Sequence, residues 1–320
     1  MAVGSDDTPL ASVVLPTYGR PDFLTEAVES VLSQTYERVE LLVVDDCSPD
    51  PVAPVLDGID PEAYPGERTL RVVRHEENRG ANGARNTGIE EADGEFVAFI
   101  DDDDLWAATK LERQLAAFDD PEVGAVYTGM RYVADGETVH VLEPTLAGDV
   151  TEALLVGAPL GTFSTIAVRA SVARETGPLD ERFPCWQDRE WPIRLSTRCR
   201  FGVVPDVLVD HRTTDHEQIT DDFAAKRDVA YPLFVETFRP LAAEYGVDTV
   251  RKMAASRSRA VATSALKAGE YDDARRFALR AVRERPTDAS AYLLLLLALG
   301  GQPVFTAAQR TSRALAAFDE

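Results

Sequence analysis

The sequence predicts an α/β protein with a mostly parallel sheet, helices on both faces of that sheet, and a helical C-terminal region. Three observations support this fold class. Apolar runs of strand length alternate with segments of helical periodicity, which is typical of βαβ units. Several of these runs end in carboxylates. Strand-like runs stop near residue 223, so we expect one domain over residues 1–222 and a helical region over residues 223–320.

The first third of the chain supplies the predicted parallel strands. All of them except Thr69–Arg74 are short runs that are apolar on both faces, as expected where helices cover both sides of a sheet. These strands are Leu10–Pro16, Glu40–Asp46, Thr69–Arg74 and Glu95–Asp101. The intervening helices have apolar residues at three- and four-residue spacing; they are Phe23–Gln34, Gly83–Ala92 and Thr109–Phe118.

Beyond Pro121 the pattern indicates a mixed sheet. The predicted strands here are Gly124–Ala134, Thr162–Arg169 and Phe201–Leu208. A helix is predicted over Asp188–Leu195, with Pro192 near its first turn or at a kink. The segments predicted as loops are Asp135–Gly161 and Thr213–Asp222.

The C-terminal region is predicted to be mainly helical from Ala224 onward. Ala265–Asp288 has the spacing of one tetratricopeptide-type helical hairpin, whereas stable arrays need about three such repeats. We therefore expect a helical cap or a docking appendage that contacts a membrane surface or another protein. The longest apolar stretch, Ala291–Leu299, is shorter than the ~20 residues that a membrane-spanning helix needs.

The composition excludes some partners and suggests a cellular compartment. With 55 Asp and Glu against 33 Lys and Arg, the net charge of −22 argues against nucleic acid, which needs a basic face. Few lysines among many carboxylates predict a salt-loving prokaryotic source, where salt screens the repulsion. Three cysteines do not suggest a disulfide framework. The N-terminus lacks a signal-peptide pattern, so we expect a cytoplasmic protein that is either free or peripheral on the cytoplasmic face of the membrane.

The segment EFVAFIDDDD, from Glu95 to Asp104, combines a buried strand with four consecutive carboxylates. These carboxylates would repel one another without a counter-charge. Mg²⁺ or Mn²⁺ prefers such oxygen ligands, and Mg²⁺ typically uses one or two carboxylates together with substrate phosphates. The segment therefore predicts a metal–diphosphate site, with a solvated acidic turn as the alternative.

The other polar strand ends are expected at the same edge. Thr17 and Tyr18 follow the first predicted strand, and Asp45 and Asp46 end the second. Because ligands of doubly wound sheets bind at the carboxyl ends of the strands, this coincidence favours a binding site over an acidic turn.

Four segments in order resemble the family 2 glycosyltransferases, which are inverting enzymes with the GT-A nucleotide-diphosphosugar fold. The segments are VVLPTYGR (Val13–Arg20), LLVVDDCSPD (Leu41–Asp50), ENRGANGARNTGIEEADGEFVAFIDDDD (Glu77–Asp104) and CWQDREWPIRLS (Cys185–Ser196). Each is weak alone, but their order and spacing are specific. The resemblance covers roughly residues 10–220.

The resemblance implies a nucleotide-sugar site. Asp46 would accept a hydrogen bond from a nucleobase N–H, and the turn at Thr17 and Tyr18 would flank the base. Asp45 either contributes or only braces its turn. The implied nucleotide-sugar residues are Pro16, Thr17, Tyr18, Arg20, Asp46, Arg79, Arg85, Asn86, Asp101 and Asp102. An ordinary strand-to-helix turn and a surface helix start are the alternatives.

The same resemblance implies a Mg²⁺ or Mn²⁺ site. Asp103 is expected as the direct ligand, with Asp101 and His216 as further metal residues. Asp104 is expected to cap a helix that starts near Leu105. His211 and Arg212 are comparable candidates near the diphosphate, although each histidine could simply be exposed.

Asp188 in QDREW matches the family's catalytic base, which often stands in a Glu-Asp pair. Gln187 replaces that Glu here, which puts in doubt how the pKa of the base is tuned. Glu190 is the reserve candidate for the base. Trp186 and Trp191 would form a stacking wall for an acceptor sugar. The alternative is an ordinary amphipathic helix that exposes its carboxylates.

The implied function is a metal-dependent hexosyl transfer from a UDP- or GDP-linked sugar to a glycan hydroxyl or a polyprenyl-phosphate acceptor. By analogy, the product is a lipid-linked oligosaccharide for N-glycosylation or a surface polysaccharide. A nucleotidyltransferase is less favoured, because only Gly19 and Arg20 stand where a glycine-rich phosphate loop would lie. A non-catalytic nucleotide-binding scaffold is the third hypothesis.

Overall fold

The computed structural model describes residues 8–134, 136–212 and 222–311. The chain divides into two compact units, which are described separately. The first unit comprises Met1–Val150, Leu160–Glu181 and Arg194–Asp215. The second comprises Thr151–Pro159, Arg182–Ile193 and His216–Glu320. Most of the predicted loop Thr213–Asp222, with His216, lies outside the described residues.

All of the described strands lie in the first unit. They are β1 (Ala11–Thr17), β2 (Arg38–Asp45), β3 (Glu67–Arg74), β4 (Phe96–Phe99), β5 (Asp104–Trp106), β6 (Val123–Ala134), β7 (Glu137–Leu142), β8 (Ile166–Arg169) and β9 (Arg200–Arg212). The described strands form one sheet in the order β3-β2-β1-β4-β8-β6-β9-β5, with β7 paired to β6.

The helices are distributed over both units. In chain order they are α1 (Pro21–Leu32), α2 (Ala53–Leu56), α3 (Gly80–Glu91), α4 (Lys110–Ala116), α5 (Thr151–Leu155), α6 (Ala170–Thr176), α7 (Gln187–Ser196), α8 (Phe223–Ala225), α9 (Tyr231–Glu244), α10 (Val247–Lys267), α11 (Tyr271–Glu284) and α12 (Ala289–Thr311). A π-helical stretch, Lys226–Ala230, joins α8 to α9. The first four helices and α6 belong to the first unit.

The strand directions bring distant chain ends to one edge of the sheet. β1, β2, β3 and β4 are parallel. β4 is antiparallel to β8, and β8 is antiparallel to β6, so β6 and its parallel neighbour β9 run in the direction of β4 again. The carboxyl ends of β1, β2, β3, β4 and β9 therefore lie along one edge, which we call the acidic rim.

Strand β1 is buried on both faces, as its apolar run predicts. Val13 and Leu15 belong to the core cluster that also contains the apolar stripe of α1. Val14 points the other way, toward Gly88 of α3. Alternation along one strand thus places helices on both faces of the sheet.

Gly88 permits the close approach of α3 to the sheet. A Cβ at this position would lie under 3.0 Å from both methyl carbons of Val14. We expect Gly88→Ala to destabilise the protein by about 1–3 kcal/mol, because overpacking outweighs the gain in helix propensity of up to about 1 kcal/mol. Thermal unfolding measures the effect.

The matched control is Gly58→Ala, because a Cβ there would meet nothing within 4 Å. The control should change the free energy of unfolding by less than about 0.5 kcal/mol. Equal effects of the two substitutions would contradict the packing account.

Several elements of the first unit differ from the sequence prediction. The short strand β5 occupies the position predicted for a helix start, so the prediction that Asp104 caps a helix near Leu105 is wrong. The strand forms because Asp104, Leu105 and Trp106 pair with the end of β9. Strand β7 lies in a segment predicted as a loop, and α6 was not predicted.

The second unit is mainly helical. Helices α10 and α11 pack against each other, and α11 packs against α12. The segment predicted as a tetratricopeptide-type hairpin, Ala265–Asp288, spans the end of α10, a turn at Gly269 (φ +79°) and all of α11. These helices bury alanine and phenylalanine side chains against one another.

Helix α12 is more apolar than its longest uninterrupted run suggests. Within the described residues, Ala289–Ala308 has the length and composition of a membrane-crossing helix, with 28% of its most apolar window buried. The apolar run seen in the sequence ends at Leu299. It is followed by two glycines, Gln302 and Pro303, none of which is charged. A single such helix is weak support for a span, since core helices pass the same test.

Candidate active site

The acidic rim gathers the carboxylates that follow β4, each of them held by a partner from another element. Thr17, at the end of β1, donates a hydrogen bond to Asp102 at 2.7 Å. Arg20 forms an ion pair with Asp103 at 2.7 Å. Arg85, on α3, forms an ion pair with Asp101 at 2.5 Å. Three of the residues singled out in the sequence thus each contact one of the three aspartates that follow β4.

Asp104 has a structural position at the start of β5. Its fully buried carboxylate accepts hydrogen bonds from Ser164 at 2.5 Å and from the Nδ1 of His211 at 2.8 Å. Burial lowers the pKa of His211, but the Asp104 carboxylate outweighs burial and raises this pKa to about 9. His211 is therefore an imidazolium that neutralises Asp104 at the end of β9.

Asp102 and Asp103 have raised pKa values, because both are buried and lie close to other carboxylates. Burial raises the pKa of Asp102 to about 7, and repulsion from Asp103 adds to the effect. Burial raises the pKa of Asp103 to about 6, with further repulsion from Asp104 and Asp101. The arginine Arg20 offsets only part of this charge.

A divalent cation fits this donor set by its chemistry, because hard cations bind carboxylate oxygens and would relieve the repulsion. In the ranges that the structure describes, three or more His, Cys, Asp or Glu side chains are nowhere arranged as a ready ligand cage. Mg²⁺ commonly completes its shell with substrate phosphates instead. Arg212 lies beside these carboxylates, because its Nε donates a hydrogen bond to the backbone carbonyl of Asp103 at 2.6 Å.

Asp46 lies at the end of β2 and has one oxygen fully engaged. Its Oδ1 contacts the Nδ1 of His75 at 2.7 Å and accepts the backbone N–H of Arg79 at 2.9 Å. The Nε2 of His75 in turn contacts the hydroxyl of Thr87 at 2.8 Å. No described residue donates a hydrogen bond to Oδ2 of Asp46, which leaves that oxygen available to a ligand.

A cleft of about 610 Å³ is lined in part by His75 and Arg79, two residues that contact this aspartate. Its lining residues follow β3 and lead into α3; they are Arg74, His75, Glu76, Glu77 and Arg79. Clefts of this size accommodate small-molecule ligands.

Asp45 braces the turn that presents Asp46. Its buried carboxylate accepts the backbone N–H of Ser48 at 2.8 Å and forms an ion pair with Arg74. Burial favours the neutral form, yet the hydrogen bonds from Ser48, Val52 and Arg74 lower the pKa of Asp45 below its usual value. The structure thus gives Asp45 the bracing role that the sequence left as one of two alternatives.

The remaining predicted nucleotide residues occupy different environments. Pro16 is buried within β1, whereas the Tyr18 side chain is 51% exposed beyond the end of that strand. Both ends of the Asn86 amide bind the main chain of Leu179, at 2.7 and 3.0 Å. The guanidinium of Arg79 forms an ion pair with Glu181 at 2.8 Å. Asn86 and Arg79 thus tie α3 to residues 179–181.

The predicted base lies in the second unit. The Asp188 side chain is 31% exposed and forms an ion pair with Arg189 at 3.4 Å. Glu190, the reserve candidate, is only 1% exposed. Trp191 is fully buried, so the prediction that it lines an acceptor surface is wrong: its ring is part of the interior.

Sequence reasoning missed three residues of the rim. Arg74 and His75 hold the two aspartates of β2, and Ser164 binds both the carboxylate of Asp104 and the backbone N–H of Asp101. The carboxyl-end rule could have found the first two, because they end β3. Ser164 gives no comparable signal, since it stands in a short 3₁₀ turn far away in the sequence.

Comparison with solved structures finds proteins of similar fold. The TarS protein of Staphylococcus aureus superposes with a TM-score of 0.61 at 18% identity, covering 92% of each chain. A mannosyltransferase from Pyrobaculum calidifontis, solved with GDP-Man and Mn²⁺, gives 0.59 at 20% identity, covering 96% of this chain and 88% of its own. At these identities the likeness shows the fold alone.

Curated proteins that are similar to this chain in sequence include glycosyltransferases. The glycosyltransferase TuaG of Bacillus subtilis, named for teichuronic acid biosynthesis, is 34% identical over 154 residues, which are 47% of this chain and 60% of TuaG. The Escherichia coli protein WfgD, a UDP-Glc:α-D-GlcNAc-diphosphoundecaprenol β-1,3-glucosyltransferase, is 40% identical over 111 residues, 34% of this chain and 41% of its own.

The chain therefore spans at most about 60% of these curated relatives. The family model Glycosyl transferase family 2 matches residues 12–159, which include β1, β2, α3 and the acidic rim as far as β5. Through these residues, the chain is similar to glycosyl transferase family 2.

Proposed function

We propose that the protein transfers a sugar, with inversion, from a nucleotide-diphosphate sugar to an acceptor in the assembly of a surface or lipid-linked glycan. The acidic rim carries this proposal. Within the residues that the family 2 model matches, the rim holds the available carboxylate oxygen of Asp46 and the buried carboxylates of Asp102 and Asp103. The names of TuaG and WfgD support the glycan class.

The donor is proposed to bind along the rim. Oδ2 of Asp46 would accept the imino N–H of uracil or guanine, while His75 and Arg79 hold Oδ1. Thr17 and Tyr18 would flank the base, and Arg85 and Arg20 would hold the carboxylates nearest the diphosphate. A nucleobase that presents only hydrogen-bond acceptors to Oδ2 of Asp46 would be rejected, because two acceptors would then face each other.

Asp103, with Asp101, would hold Mg²⁺ or Mn²⁺. When bound, the cation would offset the charge that accumulates on the departing diphosphate. Arg212 supplies a fixed positive charge at the same place. His216, the third proposed metal residue, lies outside the described residues.

Asp188 is proposed as the general base. As the acceptor hydroxyl oxygen bonds to the anomeric carbon, its proton passes to the carboxylate, and the bond from that carbon to the diphosphate breaks. A partly exposed carboxylate suits this role better than Glu190, which is buried. The acceptor is proposed to be a polyprenyl-linked or polymeric glycan handled at the cytoplasmic face of the membrane.

Thermal unfolding with nucleotides tests donor binding. UDP or GDP at 100 times its Kd, with Mn²⁺, should stabilise the protein by about 2.7 kcal/mol, and chelation should remove most of this effect. The control ligand is CDP, because cytosine presents an acceptor where uracil presents an N–H. Equal stabilisation by all three diphosphates would contradict the role of Asp46. Turnover of a nucleotide-sugar panel then identifies the donor.

A further inference from the structure

Arg257 is a buried cation that pairs with no carboxylate among the residues that the structure describes. It belongs to α10 in the second unit and is 5% exposed. Its Nε is buried with no hydrogen-bond partner in the described part of the chain. Its Nη2 donates a long hydrogen bond, at 3.4 Å, to the hydroxyl of Ser256. Burying an unpaired charge costs several kcal/mol, so the arrangement needs an explanation.

Two aromatic rings hold the guanidinium in place. Its central carbon lies 5.2 Å from the ring centre of Trp186 and 4.9 Å from that of Phe234. The two rings meet edge to face with centres 5.8 Å apart. Trp186 also has a φ of 66°, a left-handed backbone conformation that is strained for a bulky residue. Strain of this kind is concentrated at functional sites.

The surroundings of Arg257 are positive. Burial lowers the pKa of Arg257 to about 9; Arg189 lowers it further, while Asp188 opposes the effect. Asp188 is already paired with Arg189 at 3.4 Å. Arg259, which also bears on this pKa, is paired with Asp288 at 3.3 Å. Asp188, which is paired with Arg189, is thus the carboxylate whose charge bears on Arg257, in a chain whose net charge is −22.

The loop after α5 closes against the same residues. Gly157 has a φ of +103°, and a Cβ there would lie 2.9 Å from Nη2 of Arg257. Arg189 donates to the carbonyl of the next residue, Ala158, at 3.3 Å. Only glycine lets the loop approach so closely.

We propose that Arg257, with Arg189, binds an oxyanion carried by the acceptor, beside the proposed base Asp188. The ligand class is a phosphate, diphosphate or carboxylate group, because a guanidinium recognises such planar or tetrahedral oxyanions through two parallel N–H donors. The acceptor is therefore an anionic molecule. This inference rests on the proposed function, since it is that function which makes Asp188 part of an acceptor site.

Inorganic phosphate is the first probe. With UDP and Mg²⁺ present to occupy the donor site, and ionic strength held constant with chloride, phosphate should raise the Tm of the wild-type protein by about 2 °C or more. Arg257→Met should abolish this shift. The matched control is Arg251→Met, which removes an exposed arginine from the same helix and should retain the shift.

The Met variant is expected to fold, because replacing an unpaired buried charge by an apolar chain of similar length is often neutral or stabilising. Arg257→Lys, which keeps the charge but loses the planar fork, provides a second variant with a reduced shift. No phosphate shift in the wild-type protein, or an equal shift in Arg257→Met, would overturn the proposal.

An acceptor panel distinguishes the source of the oxyanion. We expect Arg257→Met to raise KM by 10-fold or more for either a polyprenyl-diphosphate-linked sugar or a uronate oligosaccharide, and to leave KM for a neutral oligosaccharide unchanged. Equal effects on charged and neutral acceptors would indicate a structural role only. If no sugar is transferred to any acceptor or to water, the proposed function fails, and the phosphate shift still decides whether the anion site exists.

Discussion

Asp188→Asn is expected to lower the rate of sugar transfer by about 10²- to 10⁴-fold, the range that a positioned general base contributes. The amide has nearly the same shape as the carboxylate but cannot accept a proton from the attacking hydroxyl. The loss should appear in kcat, whereas the stabilisation by UDP or GDP should stay at its wild-type value. Turnover and thermal unfolding on the same preparation measure both quantities.

Gln187→Glu is the matched control for this prediction. It adds a carboxylate next to Asp188 and restores the Glu-Asp pair typical of the family, so we expect transfer to persist with a changed pH dependence. Transfer by Asp188→Asn within about threefold of the wild-type rate would remove Asp188 as the base. Glu190→Gln would then be the variant to measure.

Asp103→Asn is expected to abolish the cation-dependent part of the stabilisation by nucleotide and to reduce transfer by at least about 10²-fold. The amide can still accept the hydrogen bond of Arg20, which is 2.7 Å from the carboxylate. The amide is a much weaker ligand for a hard cation than the carboxylate, however. Titration of Mn²⁺ at saturating UDP, followed by Tm, measures the first effect.

The same substitution should not destabilise the protein in the absence of ligands. Burial and repulsion from Asp104 and Asp101 raise the pKa of Asp103 to about 6, which means that its charge destabilises the folded state above that pH. Removing the charge should therefore leave the Tm at pH 7 unchanged or higher. Asp119→Asn, at an exposed turn, is the matched control and should keep the Mn²⁺ response. A surviving Mn²⁺ response in Asp103→Asn would contradict the proposed ligand.

Much of the first unit could be predicted because its signals are local. The strands β1, β2 and β4 are apolar on both faces and end in polar residues, and parallel strands necessarily bring such ends to one edge. Asp46 and Asp101 were therefore placed on one rim without coordinates. Helix α1 was predicted because its apolar residues recur at helical spacing.

The partners of the rim residues could not be predicted in the same way. Asp104 was misassigned because a three-residue strand has no detectable periodicity, and β5 exists only through its pairing with β9, about a hundred residues later. Asn86 was assigned to the nucleotide, although its position gave no indication that Leu179 would use both ends of its amide. The convergence of Asp46, Asp103 and Asp188 around one bound cation stays a prediction.

The amino-acid order by itself determined the class of fold, the edge of the sheet where the polar residues lie and the resemblance to a family, because strand periodicity and motif spacing are properties of neighbours in the chain. Only the tertiary structure decided which carboxylates form ion pairs, with His211 and Arg85 for example, and which cation, Arg257, is buried without a carboxylate partner among the described residues. The physical reason is that burial and charge pairing depend on residues that are distant in sequence, and their energies arise only when water is excluded.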